Sequence, residues 1–114
     1  MKFIANAFSL QMLTNPNGCV RYNEISKERF DYLSHDAISY VGHEDLANIL
    51  GVTFNRESLK LRQGDTLLVA QVTGGRLPIG ATELPQGVVL RYYCVQVTES
   101  NTVLLGKEKI KMEE

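Results

Sequence analysis

The spacing of apolar and polar positions changes several times along this chain, and each change marks an element boundary. Phe3, Ile4 and Ala5 form a short apolar run that predicts a buried strand over residues 2–7. Ser9 then stands at an N-cap position ahead of Leu10, Met12 and Leu13. This predicts one helical turn, ended by the turn cluster Asn15-Pro16-Asn17-Gly18. Residues 19–25 read as a strand, and Ser26 with Glu28 and Phe30 marks the start of a helix reaching about Ser34. Residues 37–41 form a short extended piece, which Gly42 ends.

From His43 onward the period changes again. Leu46, Ile49 and Leu50 fall at i, i+3 and i+4, with Glu44 and Asp45 complementing the dipole of the first turn. Gly51 closes this helix as a C-terminal glycine. Residues 67–72 are apolar without a break apart from Gln71, and the turn Gln63-Gly64-Asp65 leads into them; a central strand buried on both faces reads this way. A loop with glycine hinges follows over residues 74–80. Residues 88–97 then make another long strand, and residues 102–105 are expected to pair with it across Glu99-Ser100-Asn101. The resulting expectation is α/β (α+β): a single mixed sheet of about five strands flanked by short helices.

At 114 residues the chain has room for one domain over its whole length, and 44% apolar residues with only three prolines suffice for a packed core. The formal net charge of −1 changes the picture more. Duplex binding rests on many Lys and Arg contacts to phosphate, a footprint this balance lacks. A small ligand with a few phosphates needs only a local pair of arginines. Cys19 and Cys94 have no metal-ligand or CxxC spacing and read as reduced interior thiols. The start is too quickly polar for a signal peptide, and no 18-residue apolar stretch occurs. A cytoplasmic protein without a membrane partner is expected.

Candidate chemistry gathers at three places. Gly42-His43-Glu44 opens the clearest helix, where backbone amides and the helix dipole favour an anion and a histidine can donate to phosphate. The same histidine equally serves as a plain helix cap. Arg76, between glycines and Pro78, is a directed cation suited to a bidentate hold on phosphate. Arg56 follows the histidine helix after Asn55 and is either a second cation for the same group or a solvated charge. His35 lies in a polar Ser-His-Asp run whose adjacent residues cannot form a triad. No P-loop, GxGxxG, HExxH, GxSxG or metal cluster is present, so neither a cofactor nor a metal is expected. A nucleotide's own 2′-hydroxyl needs only placement, charge neutralisation and a proton donor to act as a nucleophile. Arg56, Arg76 and His43 are the residue types for that work.

Residues 6–13 (Asn-Ala-Phe-Ser-Leu-Gln-Met-Leu), Val41-Gly42-His43-Glu44, Asn55-Arg56, Gly64-Asp65, Gln71 and Gly75-Arg76-Leu77-Pro78 occur here in order. Over roughly residues 2–80 the chain resembles a viral and prophage family, formerly a domain of unknown function, that contains the type III anti-CRISPR ring nucleases. The resemblance implies a homodimer that binds cyclic tetra-adenylate on a shared face. It implies His43 as general acid to the 5′-oxygen, with Arg56 and Arg76 holding the phosphate. Asn6, Ser9, Gln71 and Gly75 would line the ligand site, and residues 74–80 would form a lid. The implied reaction is metal-independent attack by a 2′-hydroxyl, leaving linear products with 2′,3′-cyclic phosphate ends. One position departs from the family pattern: Ile79 stands where a glutamate usually follows the loop arginine. That departure keeps open a non-catalytic protein that sequesters the nucleotide; a nucleic-acid-binding or regulatory protein of a mobile element is a separate alternative, weakened by the mildly acidic charge balance.

Overall fold

A computed structural model describes residues 1–99 of the chain. Within them are five strands, β1 (Lys2–Ala5), β2 (Cys19–Ile25), β3 (Ile38–Ser39), β4 (Thr66–Thr73) and β5 (Val89–Thr98). Two helices, α1 (Lys27–Leu33) and α2 (Glu44–Leu50), accompany 3-10 turns at Leu10–Met12 and Ser34–Asp36. The strands form one mixed sheet in the order β2-β5-β4-β1-β3. β1 runs parallel to both β3 and β4, whereas β5 runs antiparallel to β4 and β2. This is the expected α+β class with a single mixed sheet.

β4 takes the centre because its apolar run faces both ways. Leu67 and Val69 point into one buried cluster with Phe3, Ala5, Leu61, Val95 and Val97. Leu68 and Ala70 point into the other, with Ile4, Phe30, Val41, Leu46 and Ala47. Only a central strand, covered above and below, can bury consecutive side chains in this manner. The helices form the layer on the second cluster, where Phe30 of α1 lies against Tyr92 with ring centroids 4.7 Å apart. On the opposite face Met12 and Leu13 pack with Leu59 and Leu61, and backbone hydrogen bonds join residues 12–14 to Leu61.

Local chemistry sets the element ends much as the sequence predicts. The Ser26 hydroxyl accepts the Arg29 amide at 3.1 Å to start α1, and Ser9 accepts the Gln11 amide at 3.1 Å to start its 3-10 turn. Gly51 ends α2 at φ +74°, a left-handed conformation that glycine adopts without steric cost. β1 stops at Ala5, short of the expected Ala7, and the side chain of Asn6, just past its end, accepts the Gly42 amide. The expected strand over residues 102–105 lies outside the described residues.

β2 is an edge strand, exposed along most of its length. Arg91 of β5 fastens it with a bidentate pair to Glu24, at 3.0 and 2.8 Å, and the guanidinium holds that carboxyl below its usual pKa. Both cysteines are free but only half-buried, not fully interior as their pattern predicts. Burial pushes the Cys94 thiol up. Among the described residues no helix is long and apolar enough to cross a membrane.

Leu68 is fully buried at the middle of the central strand. Leu68→Ala is expected to lower unfolding stability by about 2–5 kcal/mol, through lost apolar contact and the cavity left behind. Urea unfolding followed by circular dichroism measures it.

Candidate functional site

Strands β4, β1 and β3 run the same way, so their carboxyl ends reach one rim of the sheet. Chain leaving parallel strands at such a rim diverges and opens a crevice, the usual position of ligand sites in sheets of this kind. Asn6 follows the end of β1, Gln71 and Val72 lie near the end of β4, and the chain beyond β3 turns at Gly42 into α2. Together with residues 75–79 these segments enclose a hollow of about 710 Å³, lined by Asn6, His43, Leu46, Gln71, Val72, Gly75, Arg76, Leu77, Pro78 and Ile79. That volume lies within the roughly 300–1,000 Å³ typical of small-molecule sites.

His43 is the N-cap of α2, with extended backbone at φ −121° and ψ 113°. Its Nδ1 accepts the Leu46 amide at 3.2 Å. A nitrogen that accepts a hydrogen bond carries no proton, so the ring proton sits on Nε2. The structure bears out the cap reading of this histidine, which is also one of the residues lining the hollow. It also alters the anion site expected at this helix start, because the Leu46 amide is taken by the cap. Asn6 fixes the approach to the histidine, its Oδ1 accepting the Gly42 amide at 3.1 Å.

Arg76 enters from the loop between β4 and β5. The neck of this loop needs glycine, since Gly74 sits at φ +82° and a Cβ there would collide with the Gly87 carbonyl. Leu77 packs against the helix-side core, which seats the loop beside Arg76. Among the described residues, no carboxylate lines the hollow. Ile79, at the rim, is fully exposed.

Of the residues singled out in the sequence, the fold brings Asn6, His43, Gln71, Gly75 and Arg76 together. Arg56 and Ser9 do not line the hollow. An isolated bridge between Val41 and Phe54, with the Asn55 amide bonded to the Val41 carbonyl at 2.9 Å, lays this segment behind Gly42. Arg56 therefore backs the histidine turn with its main chain while its side chain is exposed. Ser9 is used up locally as the cap of its own turn. His35 lines a separate depression with Lys2, Asp31, Tyr32 and Asp36. Asp45 was missed by sequence reasoning: its Oδ2 accepts the Gly80 amide at 3.1 Å and so ties α2 to the Arg76 loop. An acid in a first helical turn reads simply as a dipole partner, and no local signal pointed to a residue so distant in sequence.

The model of the STIV B116-like family matches residues 2–91, a span that includes every residue lining the hollow. Among solved structures, B116 of Sulfolobus turreted icosahedral virus (STIV) has the same fold, with a TM-score of 0.68. It is 21% identical, with 83% of this chain and 97% of that chain covered. No curated protein matches the chain.

The double duty of His43 can be separated by substitution. His43→Ala removes the cap and is expected to cost about 0.5–2 kcal/mol of stability, whereas His43→Asn replaces the acceptor and keeps most of it. Thermal unfolding of the two variants distinguishes them. Equal losses in both would mean that the Nδ1 bond contributes nothing to the helix.

Proposed function

The chain belongs to the STIV B116-like family, and from this we propose that it binds cyclic tetra-adenylate, or a related cyclic oligonucleotide, at the His43–Arg76 hollow and opens the ring without a metal. The observation that supports this is convergence. A histidine, an arginine and two side-chain amides, drawn from four separate parts of the sequence, line one hollow at the rim of the sheet. An arginine in such a place holds a phosphate through two parallel N–H donors. The Nε2–H of His43 adds a third donor toward the same group, and Asn6 and Gln71 offer amides to sugar or base.

Ring opening needs a 2′-hydroxyl placed in line with the adjacent P–O5′ bond. The 2′-oxygen bonds to phosphorus, the P–O5′ bond breaks, and the products are a 2′,3′-cyclic phosphate and a 5′-hydroxyl. The proton lost from the 2′-hydroxyl passes to solvent, while the 5′-oxygen takes one from His43. To give up a whole proton the imidazole must first gain one at Nδ1, which releases the Leu46 cap. The acid step thus competes with the helix start.

That competition favours a second reading, in which the hollow holds the intact nucleotide and sequesters it. The family glutamate position is occupied by Ile79, which points the same way. Both readings share the binding step and differ only in the fate of the ring.

A tetranucleotide ring is larger than the ligands that pockets of this volume enclose, so the working unit in this reading is a two-fold pair sharing one ring. An apolar depression of about 450 Å³ adjoins the hollow on the sheet face away from the helices. Phe8, Val20, Tyr22, Val69, Tyr93 and Val95 line it, and Gln71 borders both. Tyr22 is 70% exposed there. A large apolar side chain in that position is one that a second copy would cover.

Labelled cyclic tetra-adenylate incubated with the protein in EDTA tests this account. Cleavage predicts linear products with 2′,3′-cyclic phosphate ends that vanish in His43→Asn while binding persists; sequestration predicts retention of intact ring. Arg76→Ala is expected to weaken retention by about 10- to 100-fold, the worth of a charged hydrogen-bonding partner. Ile79→Glu should accelerate cleavage if an acid partner limits the histidine. If the unsubstituted protein neither retains nor cleaves the nucleotide, the proposal is refuted.

A further inference from the structure

We propose that Asp45 is a positioning residue, a latch that holds the Arg76 loop closed against the helix bearing His43. The inference rests on the nucleotide reading for its purpose, but the latch itself is argued from the loop's anchorage.

The loop over residues 74–88 is fixed at its neck. Thr73 pairs with Val89 at the last rung between β4 and β5, and the Thr73 hydroxyl donates to the Val89 carbonyl at 3.0 Å. Gly74 packs directly on Gly87. Beyond the neck the loop bonds to itself, Ala81 to the Pro78 carbonyl and Val88 to the Pro85 carbonyl, each at 3.1 Å. Among the described residues, the hydrogen bond that ties its outer part to the rest of the molecule is Gly80 N–H to Asp45 Oδ2. Gly80 adopts φ +83°, a conformation that side-chain-bearing residues rarely take.

Arg76 lies between these two attachments. Without the second, the loop keeps its neck and the Leu77 contact, but its outer turn is free to swing and the guanidinium loses a fixed distance from the imidazole. Asp45 stands two positions after His43 on the same short helix, so the latch registers the arginine against the histidine itself rather than against the sheet. Such a misplacement matters, because phosphate recognition depends on both donors meeting one group. Asp45 touches no ligand in this scheme; it acts through the loop.

Limited trypsin digestion of the full chain reads the latch without any ligand, because Arg76 is itself a tryptic site. Mass spectrometry follows cutting after Arg76 relative to cutting after Arg62. Asp45→Ala should be cut several-fold faster at Arg76 with Arg62 unchanged. Asp45→Asn, whose side-chain oxygen still accepts the Gly80 amide, should be cut at close to the original rate. A parallel titration with cyclic tetra-adenylate should show several-fold weaker binding for Asp45→Ala and recovery for Asp45→Asn. Faster cutting at Arg76 alone, with no nucleotide binding even by the unsubstituted protein, would uphold the latch and reject the nucleotide. Unaltered cutting in Asp45→Ala, or equal acceleration at Arg62 and Arg76, would overturn the latch.

Discussion

Parallel pairing of β4, β1 and β3 is the constraint from which the rest of this molecule follows. Strands that run together end together, and the chain must leave them by separate routes: through Asn6 after β1, through Gly42 after β3, and through the glycine neck after β4. These exits cannot close the rim with backbone hydrogen bonds alone. Side chains close it instead, as the Asn6 bond to Gly42 and the His43 bond to Leu46 show. The hollow is the space left over, and Asn6 and His43, two of its polar lining residues, also tie down the chain around Gly42 and the start of α2.

This makes His43 a residue with two obligations. As a cap it keeps a lone pair on Nδ1, and in the proposed acid role it would surrender that lone pair to a proton. The neutral ring can still donate through Nε2 to a phosphate, so binding and capping are compatible while proton transfer is not. A carboxylate on the loop would ease the conflict by compensating the charged ring, and this chain has Ile79 at that point. On the proposed reading, a binder and a nuclease would differ by that one ionic partner.

Much of the fold was legible because it is written in local patterns. The serine caps of α1 and of the first 3-10 turn, the left-handed Gly51 and the doubly buried run of β4 each depend on neighbours in sequence, and each appears where the pattern places it. Sheet order and strand direction are different in kind. Nothing in Phe3-Ile4-Ala5 distinguishes a strand parallel to β4 from an antiparallel one, so the shared rim could not be read in advance. The same limit governs the site. Arg56 follows α2 closely in sequence, yet the Val41–Phe54 bridge turns its main chain, not its side chain, toward the histidine turn. Asp45 reaches across to Gly80 through a fold-dependent contact that no spacing rule anticipates.

Whether the hollow is a nucleotide site shared by two copies is decided by the stoichiometry of binding. Isothermal titration of cyclic tetra-adenylate into the protein, run below the temperature at which any turnover occurs, should give one ring per two chains, with affinity falling about 10- to 100-fold when Arg76 is replaced by alanine. One ring per chain would contradict the shared site, and binding that survives the loss of Arg76 unchanged would place the ligand elsewhere on the molecule.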